Sequence, residues 1–254
     1  MGIDEISKRK GHQNFATVIG DVEAGKLIEV IDSHQQEDII ETLKQQPIEV
    51  RAKVEEVSVD MWGGFPKVVK KVFPNAVVVI DRFHVMKLVN EELNKIRRQS
   101  GVSDRGSKFI LLKNGKDLTA EEKTKLEEIL KRSKRLGKAY EWKEEFRAIY
   151  EQPLTVEEGK RQIQGWLDQA RVVYSEASTT IRNHLDGISN YFRNRTTSGA
   201  MEGINNRIKL IKRQAYGVHP SLASLNLRFV HSSKHSGVTK PEEHFLPSTG
   251  LQTI

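Results

Sequence analysis

Hydrophobic residues in the first part of the chain form short runs separated by polar turns. Runs rich in β-branched and aromatic residues predict strands over residues 3–6, 15–19 and 27–31. Segment 21–26, between the last two runs, contains acidic residues and Gly25, which is the composition of a hairpin turn. The chain is therefore expected to open with strands that return antiparallel to one another.

Helices and strands alternate after this hairpin. Apolar residues at helical spacing predict helices over 34–45 and 65–73, followed in turn by strands over 54–59 and 76–80. The last run is wholly apolar, as in strands that are covered on both faces. Hairpins followed by right-handed crossovers predict an α/β fold. Its sheet is mixed, as in α+β proteins, and helices pack against it.

The middle of the chain, from about residue 82 to 193, is helical in pattern and shows no strand. Thr119-x-x-Glu122 and Thr155-x-x-Glu158 are capping boxes that open helices. Residues 101–118 contain glycine and lysine and are interpreted as a loop. Apolar residues at helical spacing predict two further buried faces, formed by Leu126, Ile129 and Leu130 and by Ile181, Leu185, Ile188 and Phe192.

These patterns divide the chain into four parts. Residues 1–98 form the first part of the mixed-sheet domain, and residues 99–195 form a helical insertion. Residues 196–231 return as C-terminal helices that complete the sheet domain. The tail 232–254 lacks periodicity, contains two prolines and is predicted to be disordered.

Composition excludes several classes of protein and favours a polyanionic partner. The chain has no cysteine, so disulfides and thiolate metal sites are excluded, and no apolar run is long enough to span a membrane. The first residues lack a secretory signal, so we expect a cytoplasmic protein. The net charge of +7 and the pI of about 9.4 favour a nucleic acid partner, with a solvated lysine-rich surface as the equally open alternative.

The segment 201–213 predicts a helix with two contrasting faces. One stripe falls within about 40° on a helical wheel and comprises Glu202, Asn206, Lys209 and Arg213. The opposite side carries three isoleucines that we expect to pack on the sheet, Ile204, Ile208 and Ile211. A carboxylate followed by an amide and two cations suits a divalent metal beside a phosphate backbone. A merely solvated face is the other interpretation of the same stripe.

Two aspartates stand where predicted strands end. Asp60 follows the strand at 54–59, and Asp81 follows the strand at 76–80. Ligand crevices form at such carboxyl ends in open α/β sheets. Either residue could instead cap the helix that follows it, which is a common use of aspartate. The residues alone leave open which of the two would serve in a functional site.

Four stretches together resemble the transposases of the insertion-sequence "L three" family, a group of DDE recombinases. They are GIDEISKRKGH at 2–12, VSVDMWGGF at 57–65, VFPNAVVVIDRFHVMKLVN at 72–90 and EGINNRIKLIKRQAYG at 202–217. Each stretch is a weak signal by itself, whereas four in this order are a strong one. The resemblance runs from residue 2 to about residue 231.

The resemblance implies an RNase H-like fold with a large helical insertion between the fifth strand and the helix that bears Glu202. It implies that Asp4, Asp60 and Glu202 are the three catalytic acids and the metal ligands. Asp81 and His84 match an Asp-x-x-His signature of related transposases, which is viewed there as supporting the active site.

The implied activity is metal-dependent DNA cleavage followed by joining of the freed 3′-OH to a new strand. Three carboxylates suit Mg²⁺ or Mn²⁺, and two such ions can stabilise the entering and the leaving oxygen. The expected partner is DNA, both the transposon ends and the target, and transposases of this type tend to act as dimers or larger assemblies. The expected DNA contacts lie on one helix, at Asn206, Lys209, Lys212 and Arg213.

The chain departs from the family pattern at its beginning. Family members usually carry an N-terminal region with zinc-binding cysteines and a helix-turn-helix, which this sequence lacks, so it resembles a catalytic fragment. Only three residues precede Asp4, so we expect the first strand to be frayed and its acid to be poorly held. Two alternatives stay open, a catalytically inactive DNA-binding remnant and a generic RNase H-like nuclease.

Overall fold

A five-stranded mixed sheet organises the first part of the chain in the computed structural model, which describes residues 1–7, 15–61, 63–197 and 199–214. The strands are β1 (Gly2–Ser7), β2 (Phe15–Asp21), β3 (Lys26–Ile31), β4 (Glu56–Val59) and β5 (Val77–Ile80). Their order across the sheet is β3-β2-β1-β4-β5. The first three strands are antiparallel, while β1, β4 and β5 run parallel. The mixed α/β sheet expected from the sequence is confirmed.

The helices divide between two compact units. Unit 1 comprises Met1–Asp81 together with the chain from Thr196, and unit 2 comprises Arg82–Arg195. Unit 1 holds α1 (Gln36–Lys44), α2 (Ile48–Arg51), α3 (Gly64–Val72) and α12 (Gly199–Gln214). Unit 2 holds α4 (Arg82–Gln99), α5 (Ser107–Leu112), α6 (Ala120–Lys131), α7 (Lys134–Glu151), α8 (Val156–Ala170), α9 (Ser175–Asn183), α10 (Leu185–Ser189) and α11 (Tyr191–Asn194). In the described ranges, no helix combines the length and the apolar character needed to cross a membrane.

The hairpin between β2 and β3 follows from local chemistry. The side chain of Asp21 accepts hydrogen bonds from the backbone amides of Glu23 and Ala24, each at 2.9 Å, which closes the turn. Gly25 completes the turn at a φ of 62°, a conformation that favours glycine. The predicted hairpin is therefore confirmed, and its turn returns the chain directly into β3.

The first strand is the central strand of the sheet. It pairs with β2 over its whole length and with β4 on its other side. The Met1 carbonyl accepts from the Ser58 amide at 2.9 Å, and the terminal ammonium donates to the Glu56 carbonyl at 3.0 Å. The expectation of a frayed first strand was therefore wrong, because a strand with partners on both sides is held even at its first residue.

The helix α12 packs against the strands β1, β2 and β3. Met201, Ile204 and Ile208 are buried in one cluster with apolar residues of the sheet, namely Ile6, Ala16, Val18 and Val30. Gly2 and Gly20, which face each other across β1 and β2, permit this close approach. A Cβ at Gly2 would lie 2.6 Å from Cγ of Met201, and one at Gly20 would lie 2.7 Å from Cδ1 of Ile204.

Unit 2 has its own aromatic core, centred on α7 and α8. Trp166 donates from Nε1 to the Trp142 carbonyl at 2.8 Å, and Tyr174 donates from its hydroxyl to the Ala139 carbonyl at 2.6 Å. Both buried polar groups are thus satisfied within the core. The two predicted capping boxes are confirmed at Thr119 with Glu122 and at Thr155 with Glu158, where they start α6 and α8.

Two sequence interpretations of the helical region were wrong. Residues 101–118 are not simply a loop, because α5 lies within them and buries Ile110 and Leu111. The apolar series from Ile181 to Phe192 does not lie on one helix, because α9, α10 and α11 are separate elements. The predicted disordered tail and the second C-terminal helix lie outside the described residues.

Candidate active site

Three aspartates follow one another across the parallel part of the sheet. Gly2 pairs with Ser58, and Val59 pairs with Ile80. Asp4 lies two residues after Gly2, and Asp60 lies two residues after Ser58, so these two acids are aligned. Asp81 directly follows Ile80 and is therefore aligned with Asp60. Parallel neighbours lie about 4.8 Å apart across a sheet, so Asp60 neighbours Asp4 while Asp81 lies one strand further away.

Asp4 and Asp60 bring their carboxylates together. A carboxylate oxygen of one lies within 4.8 Å of a carboxylate oxygen of the other, and both residues are half-buried. The pKa of neighbouring Glu5 is raised above its ordinary value, first by burial and then by the negative charges of Asp60 and Asp4. Negative charge therefore accumulates at this end of the sheet, which favours a bound cation. The ligand atoms are oxygens, the donors that Mg²⁺ and Mn²⁺ prefer.

The carboxylate of Asp4 is held from two directions. Its Oδ1 accepts from the backbone amide of Glu5 at 2.8 Å. Its Oδ2 accepts from Nδ2 of Asn205, on α12, at 2.7 Å. One bond comes from the strand itself and the other from the helix above it, so the carboxylate plane is fixed relative to both elements.

The helix α12 runs alongside β1 in the same direction. Asn205 bonds to Asp4, and Lys212 donates from Nζ to the Ser7 carbonyl at 3.0 Å. The seven residues from Asn205 to Lys212 rise about 10.5 Å along the helix, and the three from Asp4 to Ser7 span about 10 Å of strand. The two contacts are therefore equally spaced on both elements. Both residues lie on the edge of α12 that borders β1.

Glu202 is exposed on α12, one turn before Asn205. Side chains three residues apart are neighbours on a helix surface, with Cβ atoms about 5–6 Å apart. The helix covers β1, β2 and β3, and its Asn205 edge faces away from β3. Glu202 therefore stands on the side of the helix nearer to β4 and the Asp4–Asp60 pair. Its carboxylate does not lie within 4.8 Å of both of theirs.

The remaining expected residues of α12 divide between surface and sheet. Asn206, Lys209 and Arg213 are exposed, as is Glu202, while Ile204 and Ile208 are buried and Ile211 is half-buried. The two predicted faces of this helix are therefore observed. Lys212 is half-buried, and its ammonium contacts the Ser7 carbonyl of β1.

Asp81 and His84 lie at the beginning of α4. Asp81 is only 2% exposed and directly precedes the helix, which is the position of an N-cap residue. His84 lies in the first turn of α4 and is half-buried. The helix-capping interpretation of Asp60 was wrong, because the N-cap residue of α3 is Gly63.

Asn205 is the residue of this site that the sequence did not single out. It lies about 60° from Glu202 around the helix, between the polar stripe and the isoleucines. A polar residue in that position is ambiguous in sequence, because only the sheet shows which edge of the helix borders the acids. Its neighbour Asn206, which was expected to contact DNA, is exposed and lies on the outer face.

Comparisons with known proteins identify the family of the chain. A transposase family model, that of the ISL3 DDE transposases, matches residues 1–226. The transposase of insertion sequence element IS1557 from Mycobacterium tuberculosis is 27% identical over 282 residues, covering 97% of this chain and 63% of the relative. The transposase of IS1001 from Bordetella parapertussis is 27% identical over 234 residues, covering 85% of this chain and 57% of the relative. No solved structure is significantly similar to the chain.

The chain thus spans about three fifths of the length of the curated relatives it matches. The match to the family model begins at the first residue, includes Asp4, Asp60 and Glu202, and continues beyond the described part of α12. The sheet topology, the paired acids and the family match support one conclusion. The chain belongs to the ISL3 family of DDE transposases.

Proposed function

We propose that this chain is the catalytic part of a transposase that cuts DNA at the ends of an insertion sequence and joins it to a target. The observation that carries the proposal is the approach of the Asp4 and Asp60 carboxylates to within 4.8 Å, one on β1 and the other directly after the parallel strand β4. Glu202, on the helix beside them, is proposed as the third acid. Asp60 is preferred to Asp81 because Asp60 neighbours Asp4, whereas Asp81 is buried directly before α4.

We assign the sheet to the RNase H-like fold. The supporting features are the strand order β3-β2-β1-β4-β5, the antiparallel first three strands and the acids on β1 and after β4. In this assignment unit 2 is the helical insertion, since it lies in the chain between β5 and α12. The insertion therefore separates the third acid from the first two in sequence, while α12 returns to the same sheet.

The chemistry requires a divalent metal, for which the donor set is suitable. Asp4, Asp60 and Glu202 would hold Mg²⁺ or Mn²⁺, proposed as two ions. Bound ions of this kind stabilise charge on the attacking and departing oxygens of an in-line phosphoryl displacement. The three side chains offer only carboxylate oxygens, which fits hard cations and excludes a thiolate site.

The reaction follows two displacements at phosphorus. In the first, a water oxygen attacks, the phosphorus–O3′ bond breaks, and the departing O3′ takes up a proton. In the second, that 3′-OH loses its proton and attacks a target phosphorus, so a new phosphorus–O3′ bond forms. The target's own phosphorus–O3′ bond breaks, and its departing O3′ takes up a proton. The protein's role in both steps is to hold the reacting strand in line with the acids.

DNA is the proposed partner, and α12 is its proposed contact surface. Lys209 and Arg213 are exposed on the same face as Glu202, so cations follow the acid along the helix. Phosphate contacts of this kind position a duplex without reading its sequence. Asn206 adds a neutral donor on that face, whereas Lys212 would have to leave the Ser7 carbonyl to reach DNA.

The experiment is incubation of the chain with a supercoiled plasmid that carries the complete insertion sequence, with and without Mg²⁺ or Mn²⁺. We expect metal-dependent nicks at the element ends and joined products. Asp60→Asn should abolish both, and Asp168→Asn, which alters an exposed acid on α8, should not. Salt-sensitive DNA binding without cleavage would favour the inactive remnant. Nicking without joining would favour a generic nuclease.

A further inference from the structure

Asn205 is buried on the side of α12 that faces β1, and it donates a hydrogen bond to a proposed metal ligand. It is 6% exposed, and its Nδ2 donates to Oδ2 of Asp4 at 2.7 Å. Among the described residues, none donates a hydrogen bond to its own side-chain oxygen, Oδ1, which is also buried. The amide is thus satisfied on one side, towards Asp4, and unsatisfied on the other.

This half-satisfied amide is an unfavourable choice for stability alone. A buried polar atom without a partner costs folding free energy, and an apolar residue of similar volume would avoid that cost. The neighbouring residues Met201, Ile204 and Ile208 show that this part of α12 readily buries apolar side chains. The contact with Asp4 is therefore what explains the buried amide.

An amide suits that contact because it is neutral. An ionised carboxylate only accepts hydrogen bonds, so it needs a donor to fix its orientation. A lysine or arginine would also donate, but its positive charge would neutralise the carboxylate and oppose a divalent cation. Asparagine orients the group and leaves its charge for the metal.

We propose that Asn205 is a positioning residue that orients the Asp4 carboxylate for metal binding and couples it to the helix that carries Glu202. The coupling is geometric, because Asn205 and Glu202 lie one helical turn apart on α12. The position of α12 on β1 thereby fixes where Glu202, the proposed third acid, lies relative to Asp4. The inference rests on the proposed function of Asp4 as a metal ligand.

A structural alternative exists, since Asn205 could merely fasten α12 to β1. The chain offers a matched control, because Lys212 makes a second hydrogen bond between the same helix and strand, to the Ser7 carbonyl at 3.0 Å. That bond fastens the helix without touching a proposed metal ligand. A fastening role predicts the same behaviour for variants at both positions, whereas a positioning role separates them.

The test measures Mn²⁺ affinity by titration calorimetry and thermal unfolding for the chain, Asn205→Leu and Lys212→Met. Leucine keeps the branched shape of the amide and removes its unsatisfied oxygen, so the melting temperature of Asn205→Leu should be retained. Its Mn²⁺ affinity should fall about ten- to a hundredfold, the usual effect of removing a group that orients a metal ligand. Lys212→Met should leave Mn²⁺ affinity within about twofold of the unaltered chain.

The outcomes separate the two hypotheses. Unchanged Mn²⁺ affinity in Asn205→Leu, whatever its melting temperature, would overturn the positioning role alone. An equal loss of affinity in Lys212→Met would also overturn it, because the effect would then come from the docking of α12. Failure of the unaltered chain to bind Mn²⁺ would overturn the proposed metal site itself, and this inference with it.

Discussion

The carboxylates of Asp4 and Asp60 approach within 4.8 Å of each other, although one lies on the first strand and the other follows the fourth. Parallel pairing of β1 with β4 is the cause, because Gly2 aligned with Ser58 places the two acids side by side two residues later. The pair is therefore a property of the sheet register. A cation between two such carboxylates would relieve their mutual repulsion.

Glu202→Gln should separate catalysis from stability. The side chain is exposed on α12, so its free energy of unfolding should change by less than about 0.5 kcal/mol. DNA cleavage should fall at least about a hundredfold, the scale on which loss of one charge-stabilising group acts. Urea unfolding and plasmid nicking measure the two effects.

The matched control for this variant is Glu23→Gln, in the hairpin turn of the same unit. Glu23 is exposed and its side chain stands outside the proposed site, so nicking should match that of the unaltered chain. Equal nicking rates for the Glu202 and Glu23 variants would rule out Glu202 as the third acid.

Lys209 and Lys212 should behave differently although both are on α12. Lys209 is exposed, so Lys209→Ala should weaken DNA binding and make the negative slope of log affinity against log salt less steep by about one. Lys212 bonds to the Ser7 carbonyl, so Lys212→Met should lower the melting temperature with a smaller effect on that slope. Fluorescence anisotropy across a salt series distinguishes them, and identical slopes for both variants would contradict the assignment.

The sequence predicted the sheet well because each strand carries its own signal. Runs of β-branched residues marked all five strands to within about two residues, which is the usual uncertainty of such boundaries. The separation of α9, α10 and α11 was not predictable in the same way. Ile181, Ile188 and Phe192 are all buried, as expected, but the backbone of His184 departs from helical geometry with φ −113° and ψ 15°.

The candidate site was only partly predictable for a related reason. Asp60 and Asp81 both follow strands, and the choice between them depends on which strand neighbours β1. That order is a long-range property, which no local pattern contains. The contact of Asn205 with Asp4 required the position of α12 on β1, whereas the polar face that carries Glu202 and the isoleucine face could be predicted from helical periodicity.

Two glycines of α8 provide a test of packing in unit 2. A Cβ at Gly159 would overlap the ring of Phe192, whereas nothing lies within 4 Å of a Cβ at Gly165. Gly159→Ala should therefore destabilise the protein by about 1–3 kcal/mol. Gly165→Ala should stabilise it by about 0.5–1 kcal/mol, because alanine favours a helix over the unfolded chain. Chemical unfolding measures both changes. Equal changes in the free energy of unfolding of the two variants would contradict this packing.

Lys143 should make stability depend on pH in the alkaline range. Its ammonium is buried, donates to the carbonyls of Leu111 and Lys113 at 3.0 and 2.9 Å, and pairs with Glu144. Burial lowers the pKa of Lys143 from 10.5 to about 8, with Glu144 opposing the shift. Between these values the unfolded chain binds more protons, so the cost of burying the charge diminishes as pH rises.

The corresponding measurement compares the chain with Lys143→Met at several pH values across that interval. The stability of the unaltered chain relative to the variant should rise with pH, by at most about 1.4 kcal/mol per unit. A difference that stays constant from pH 8 to 10.5 would contradict the lowered pKa.

The central claim is that Asp4, Asp60 and Glu202 form one metal site, and the most direct test is an anomalous difference map from crystals of the chain soaked in Mn²⁺. We expect anomalous density between the Asp4 and Asp60 carboxylates, with the Glu202 side chain turned towards it. Asp60→Asn crystals under the same conditions should lose that density. Density centred on Asp81 instead, or Mn²⁺ bound only away from Asp4 and Asp60, would contradict the account.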